Sequence, residues 1–310
     1  MKIDNYLLTA MAGLALVAAK PAISASLPDI TGAPQMVVTV LPGAGGSRPD
    51  NLVPGDLNVL LDRAPAPVAR LQRLSGELAD MQLFVLLDDS SRSASLSVHL
   101  KELKEFLNAL PPTTQVAIGY MRNGTFSLSQ EFSADHQKAA AALRLPMAMP
   151  GINGSPYFVL SDLVKRWPSA QSTGRRAVLM LTDGIDRYDG SADLEDPYMN
   201  DAIHSALKHG VMVYSIYLNG AGVSGRSGRA TLMGQSHLVE VGEQTGGYAY
   251  FEDYRDPVTI TPFLNDLAQR LDHQYQVTFG AVSEKGFVAA KLKTESKGLK
   301  VSGPTRVYVP

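Results

Sequence analysis

The sequence predicts an α/β fold, a doubly wound and mostly parallel sheet, together with a small β-sandwich built from the N- and C-terminal segments. Two apolar runs, 81–87 and 177–181, are broken only by Gln82 and each ends in acidic and hydroxyl residues, as buried parallel strands do. Strand-like and helix-like segments alternate from 81 to 273, which favours a doubly wound sheet. The strand-like segments outside that range have only one another as partners, which predicts the sandwich.

The composition is that of a globular protein with no strong electrostatic preference. Of 310 residues, 45% are hydrophobic and 19% are charged, enough for one large or two modest domains. The formal net charge is −2 and there is no dense Lys/Arg block, which disfavours nucleic acid and anionic membranes as partners. With no cysteine, the sequence excludes disulfides, thiolate metal sites and cysteine nucleophiles.

Residues 1–25 have the pattern of a signal peptide. Lys2 precedes the apolar segment Leu7–Ala19, and small residues follow it, which predicts cleavage near Ser24 or Ala25. The apolar segment is too short for a comfortable bilayer span, so we expect no stable membrane span after cleavage. A retained anchor is the alternative, and Asp4, which weakens the charge of the leader, keeps it open. The leader predicts an extracytoplasmic protein, either periplasmic or secreted.

The N-terminal β segment, 26–80, is predicted to contain three strands. These are Met36–Leu41, Leu57–Leu61 and Val68–Leu74. Between the last two, Asp62–Pro67 is predicted to be a turn, because its prolines lack the N–H donors that a central strand needs.

In the middle segment, 81–273, a helix through Leu110 follows the first strand and ends at two prolines. The pair Asn123-Gly124 predicts a hairpin, and Ser133 is predicted to cap an alanine-rich helix that runs to about Leu143. The later predicted elements are helix Tyr157–Trp167, helix Pro197–His209, strand Val211–Tyr217, a glycine-rich loop Asn219–Gly234, helix Ser236–Thr245, strand Tyr248–Phe251 and helix Thr261–His273.

The C-terminal β segment, 274–310, shows no helical pattern. Its predicted strands are Tyr275–Phe279, Phe287–Leu292 and Thr305–Val309. We expect these strands to pack with segment 26–80 in one sandwich.

Two motifs stand at the ends of the two apolar runs, where open α/β sheets place ligand sites. The first is DDSSRS over 88–93 and the second is LTDG over 181–184. The pair resembles the von Willebrand factor type A (VWA) domain, whose metal-ion-dependent adhesion site combines D-x-S-x-S, a middle-loop Thr and the Asp of a T-D-G turn. Asp89 begins the register that fits D-x-S-x-S in full and is favoured, whereas the alternative register from Asp88 places Arg92 at the last serine. Ser155 stands where the family has the middle threonine.

The resemblance covers about 81–273 and extends to exported bacterial VWA proteins. It implies a Rossmann-like fold and a site for Mg²⁺ or Mn²⁺ rather than Ca²⁺, with one coordination position left for an acidic group of a protein ligand. The metal-ligand candidates are Asp88, Asp89, Ser91, Ser93, Ser155 and Asp183.

The sequence carries no recognisable catalytic motif. It contains neither G-x-S-x-G nor H-E-x-x-H, and its six histidines are scattered. We therefore predict an exported protein-binding module rather than an enzyme. The alternative is a metal-free structural or scaffold protein of the cell envelope that keeps the fold with a degenerate site.

Overall fold

The computed structural model describes residues 33–43, 52–89, 94–147, 154–170, 174–187, 196–219, 228–253, 255–280, 282 and 285–310. The predicted signal peptide, 1–25, and the candidate ligands Ser91 and Ser93 lie outside the described residues.

Strands and helices alternate through the middle of the chain, and strands predominate at the two ends, where the N-terminal segment also has two short 3-10 helices. The strands are β1 (Gln35–Pro42), β2 (Leu57–Leu61), β3 (Ala64–Ala66), β4 (Val68–Arg73), β5 (Met81–Asp88), β6 (Thr114–Arg122), β7 (Thr125–Ser133), β8 (Arg175–Thr182), β9 (Val211–Tyr217), β10 (Tyr248–Tyr250), β11 (Gln274–Phe279), β12 (Gly286–Thr294), β13 (Leu299–Ser302) and β14 (Arg306–Val309). The helices are α1 (Ala94–Ala109), α2 (His136–Ala141), α3 (Pro156–Lys165), α4 (Pro197–Lys208), α5 (Gly228–Thr245) and α6 (Thr261–Asp272).

The central sheet has six strands in the order β10-β9-β8-β5-β6-β7. Its strands pair in parallel except for the edge strand β7, which is antiparallel to β6. Asn123 and Gly124 both have positive φ in the connecting hairpin, as the sequence predicts for this turn. The predicted doubly wound, mostly parallel sheet is therefore confirmed.

Helices cover both faces of this sheet because its strands are apolar on both sides. Side chains of α1, α2 and α6 pack in one core, which includes Leu83, Val85 and Leu87 of β5. Side chains of α3 and α4, with Val241 of α5, pack in the other core against Phe84 and Leu86. The alternation along β5 thus divides its residues between the two faces.

The two ends of the chain form the predicted β-sandwich. One sheet has the order β13-β1-β11-β4 and the other β14-β12-β2-β3, so strands from both ends pair in each. One hydrophobic core contains residues of both sheets, among them Val38, Val59, Val277 and Val307. In the sequence, the α/β unit therefore lies between the two segments that together form the sandwich.

Several local predictions need correction. Asp135 rather than Ser133 caps α2, since its carboxylate accepts a hydrogen bond from the backbone N–H of Lys138 at 3.1 Å. Helix α5 begins at Gly228, eight residues before the predicted start at Ser236, so part of the predicted glycine-rich loop is helical. Strand β13 was not predicted at all.

The segment predicted to be a turn, Asp62–Pro67, contains the short strand β3 at the edge of its sheet. An edge position tolerates Pro65 because one side of the strand needs no donors. In the part of the chain that the structure describes, no helix is long and apolar enough to span a bilayer.

Candidate functional site

The candidate site lies at the carboxyl ends of β5 and β8, which are neighbours at the centre of the sheet. From β5 the chain continues toward β6, and from β8 it continues toward β9 on the opposite side. Such a reversal of direction opens a crevice outside the strand ends, where open α/β sheets bind ligands. Asp88 ends the first strand and Thr182 the second, as the sequence predicts.

Asp88 faces the T-D-G turn. The hydroxyl of Thr182 donates a hydrogen bond to the Asp88 carboxylate at 3.1 Å. Parallel pairing of Leu87 with Leu181 sets this contact, because it places the next residues of the two strands side by side. Asp88 is only 8% exposed and also interacts electrostatically with Asp183. Of the two adjacent aspartates, Asp88 is therefore the one that joins the T-D-G turn.

Asp183 is bound by an arginine from the same loop. Its carboxylate forms a two-pronged ion pair with the guanidinium of Arg187, and it also accepts the backbone N–H of Ile185 at 3.1 Å. Asp183 is 2% exposed, whereas the Arg187 side chain is 29% exposed. Burial raises the pKa of the Asp183 carboxyl, and the charge of Arg187 opposes that rise. The guanidinium is thus the counter-ion of a buried carboxylate.

Two glycines allow the T-D-G turn to pack tightly against α5. Gly184 has φ of +67°, and a Cβ there would come within 2.5 Å of the Gly234 carbonyl oxygen. A Cβ on Gly234 would in turn come within 2.3 Å of the Asp183 carbonyl oxygen. The hydroxyl of the buried Tyr157 also donates to the Gly184 carbonyl at 2.7 Å. These contacts fix the backbone that carries Asp183.

Ser155 lies at the start of α3, which it caps as the loop pattern predicts. Its hydroxyl oxygen accepts from the backbone N–H groups of Tyr157 and Phe158. The same hydroxyl donates to the carboxylate of Asp186 at 2.6 Å. The backbone N–H of Arg187 also donates a hydrogen bond to the Gly154 carbonyl at 3.4 Å. The loop that carries Ser155 and the T-D-G loop are therefore in direct contact.

Asp89, which the favoured D-x-S-x-S register places in the site, has different partners. Arg144 donates two hydrogen bonds to its carboxylate at 2.8 and 2.9 Å, and the backbone N–H of Met147 donates a third at 2.7 Å. The guanidinium of Arg144 also lies 3.7 Å from the ring centre of Tyr120. Burial alone would raise the pKa of Asp89, but these hydrogen bonds outweigh it and lower the pKa. The structure therefore brings Asp88, and not Asp89, to Thr182 and Asp183.

A further buried carboxylate stands beside this group. Asp196 caps α4, as predicted, through backbone N–H groups of Tyr198 and Met199 at 2.8 and 3.1 Å. Its other oxygen is buried and has no hydrogen-bond partner among the described residues. Burial raises the pKa of Asp196, and the charge of Asp186 adds to that rise.

The described side chains do not fit a divalent ion in their present arrangement. The guanidinium of Arg187 is hydrogen-bonded to both oxygens of Asp183, and the hydroxyl of Ser155 donates a hydrogen bond to Asp186. Within the described ranges, no group of three His, Asp or Glu side chains is placed to hold a metal ion. The Mg²⁺ or Mn²⁺ that the VWA resemblance implies therefore stays a prediction, and Ser91 and Ser93 lie outside the described residues.

Sequence reasoning missed the two arginines of this edge. Arg187 follows Asp183 by four positions, a spacing that could have drawn attention to it. Arg144 is 55 positions from Asp89, and no local pattern connects them.

No protein-family model and no curated protein matches this sequence. Solved structures similar to it include an aerotolerance-related membrane protein from Bacteroides fragilis, at 13% identity and a TM-score of 0.43, covering 62% of this chain and 98% of that one. Another is the conserved hypothetical protein BatB from Bacteroides thetaiotaomicron, at 14% identity and a TM-score of 0.43, covering 62% and 97%. A third is the SpRpn10 VWA domain, at 10% identity and a TM-score of 0.39, covering 60% and 94%.

Proposed function

We propose that this chain is an exported, VWA-type protein-binding module whose ligand surface is the carboxyl edge of the central sheet around β5 and β8. The observation that carries the proposal is the meeting of three separate segments at that edge. Asp88, the T-D-G turn and the Ser155 loop come from different parts of the chain and make direct contacts there. The proposal assigns no catalysis to these groups.

Apolar side chains at the same edge support a protein ligand. Leu145 and Met147 follow Arg144 and are 49% and 53% exposed. Met147 is held in place by its backbone hydrogen bond to Asp89. Exposed apolar side chains beside fixed polar groups are typical of protein-binding surfaces. The ligand surface would thus combine the charged crevice with this apolar rim.

The role of a cation separates two forms of the proposal. In the first form, which the resemblance to VWA domains implies, Mg²⁺ or Mn²⁺ links the site to an acidic group of the ligand. The ion pair between Asp183 and Arg187 favours the second form, a metal-free surface that keeps the VWA-type fold. In both forms, the proposal of export depends on the signal-peptide pattern of residues 1–25.

A photo-crosslinking amino acid at position 147 tests the binding surface. We expect it to give a discrete adduct with one protein in cells that produce the full chain, because Met147 lies at the proposed edge. Leu78 provides a matched control, since it is also an exposed apolar residue, 44% exposed, but precedes β5 at the opposite edge. Equal adducts from both positions, or none from position 147, would contradict the proposed surface.

A further inference from the structure

Three carboxylates interact electrostatically with one guanidinium at the carboxyl edge of the sheet, and one of them is in direct contact with it. Arg187 is paired with Asp183 and also interacts electrostatically with Asp88 and Asp186. Counted formally, the three carboxylates and the arginine carry −3 and +1, a local charge of −2. Within the described ranges, the guanidinium is therefore the cation that offsets the charge of these carboxylates.

The position of Arg187 follows from the cost of burying Asp183. An ionised carboxylate that is 2% exposed is expensive unless a positive group pairs with it. In the resemblance that the sequence shows, a divalent cation would have this role. Here an arginine four residues along the same loop performs it, with two N–H groups directed at the two oxygens. A metal ion that bound Asp183 would have to displace that arginine.

The surrounding groups offer oxygen ligands once the guanidinium is removed. The hydroxyls of Thr182 and Ser155 contact Asp88 and Asp186 respectively. Asp196 adds a buried oxygen that has no hydrogen-bond partner in the described ranges and whose charge interacts with Asp186. Carboxylate and hydroxyl oxygens are the ligands that Mg²⁺ and Mn²⁺ prefer.

We infer that Arg187 is the built-in cation of this site, so that the unmodified protein excludes a divalent ion and removal of the guanidinium uncovers a site for Mg²⁺ or Mn²⁺. The inference rests on the proposed function only in taking this edge as the ligand surface. It implies that partner binding at this edge is insensitive to chelators.

Thermal unfolding of the full chain, with and without Mn²⁺ after chelation, tests the inference. The unmodified protein should show no Mn²⁺-dependent rise in melting temperature. Arg187→Gln removes the positive charge and should gain one, of roughly 4 °C for a chain of this length at an ion concentration about a hundred times the dissociation constant. Electron paramagnetic resonance should count one bound Mn²⁺ per chain in this variant and none in the unmodified protein.

The neighbouring pair of Arg144 and Asp89 provides a matched control. Arg144→Gln removes the same charge from a two-pronged pair at the same edge, but it leaves Asp183 paired with Arg187. It should gain no Mn²⁺ response. Adding Asp183→Asn to Arg187→Gln should abolish the gained response, because the central carboxylate is lost.

Arg187→Lys covers the case in which Arg187→Gln folds poorly. Lysine keeps the charge but lacks the two-pronged geometry, so it should fold and gain a smaller Mn²⁺ response. An equal response in the unmodified protein and Arg187→Gln, an equal response in Arg144→Gln, or no gain in either Arg187 variant would overturn the inference. No partner takes part in these measurements, so their failure is distinct from failure of the cross-linking experiment.

Discussion

At the scale of single residues, the choice between Asp88 and Asp89 shows what a short motif can and cannot determine. The letters of D-x-S-x-S favour Asp89, whereas strand register places Asp88 beside Thr182. That register depends on how the apolar runs of β5 and β8 align, and the alignment cannot be predicted from the sequence of either run. Arg144 illustrates the same limit, because its pairing with Asp89 exists only after the chain has folded.

The pair of Asp89 and Arg144 makes a testable contribution to stability. We expect Arg144→Met to lower the free energy of unfolding by about 2–3 kcal/mol, because it removes charged hydrogen bonds from a buried carboxylate. The double variant Asp89→Asn/Arg144→Met should lose less, since an amide needs no counter-charge and can still accept from Met147. Urea denaturation of the three proteins measures the difference. A double variant less stable than Arg144→Met would contradict this account.

At the scale of elements, long apolar or amphipathic segments were predictable and their ends were not. The apolar runs of β5, β8 and β9 could be predicted as buried strands from their composition alone. The start of α5 was missed because glycines between 219 and 234 favour a loop, although Gly234 is needed within the helix for its close approach to Asp183. A glycine that a helix contains for tertiary packing therefore causes a prediction based on local propensity to place a loop there.

Helix α6 shows a cap that comes from another helix. Its N-cap residue, Ile260, offers no side-chain hydrogen bond. Glu102 of α1 instead accepts the backbone N–H of Thr261 at 2.7 Å and the hydroxyls of Thr259 and Thr261, while His99 contacts its other oxygen at 2.8 Å. Although burial raises the pKa of Glu102, these hydrogen bonds outweigh it and lower the pKa to about 2.

Glu102→Gln should therefore lower the free energy of unfolding by about 1–2 kcal/mol at neutral pH, as loss of a helix cap does. Because the folded-state pKa is lowered, the stabilisation is present above the ordinary glutamate pKa of about 4.3 and is lost as the pH falls toward 2. Urea denaturation between pH 2 and 7 should show the two proteins converging at acid pH. Glu105→Gln, which breaks only an exposed pair with Lys101, should cost under about 0.5 kcal/mol. A loss equal to that of Glu102→Gln would argue against the cap.

At the scale of the whole molecule, the inserted α/β unit depends on the sandwich for some of its polar contacts. The side chain of Arg175 donates to the carbonyls of Leu271 and Ala79 and to the side chain of Gln274, at 2.6 to 2.8 Å. Ala79 and Gln274 lie on either side of segment 81–273. The pairing of the two chain ends was predictable because neither end had other partners, whereas this connection through Arg175 was not.

Segment 81–273 expressed alone should melt below the full chain by roughly 4–8 °C, because Arg175 loses two hydrogen bonds worth about 1 kcal/mol each. Segment 79–274 keeps both partners and should recover most of the difference. Scanning calorimetry of the three proteins measures the change. If 81–273 melts with the full chain, the sandwich contributes nothing to the stability of the inserted unit.

The shared sandwich also sets an order of events during synthesis. Gln35 and Gln276 meet across adjacent strands although 241 positions separate them in the chain. Strands β1 and β4 pair with C-terminal strands alone, so they must wait, unpaired, until those strands arrive, while the intervening unit can fold from its own contacts. Once folded, that unit holds the two chain ends near each other and shortens the loop that the last strands must close. We expect nascent β1 and β4 to be the segments of this protein that most need a chaperone during synthesis, because their strand partners are all C-terminal.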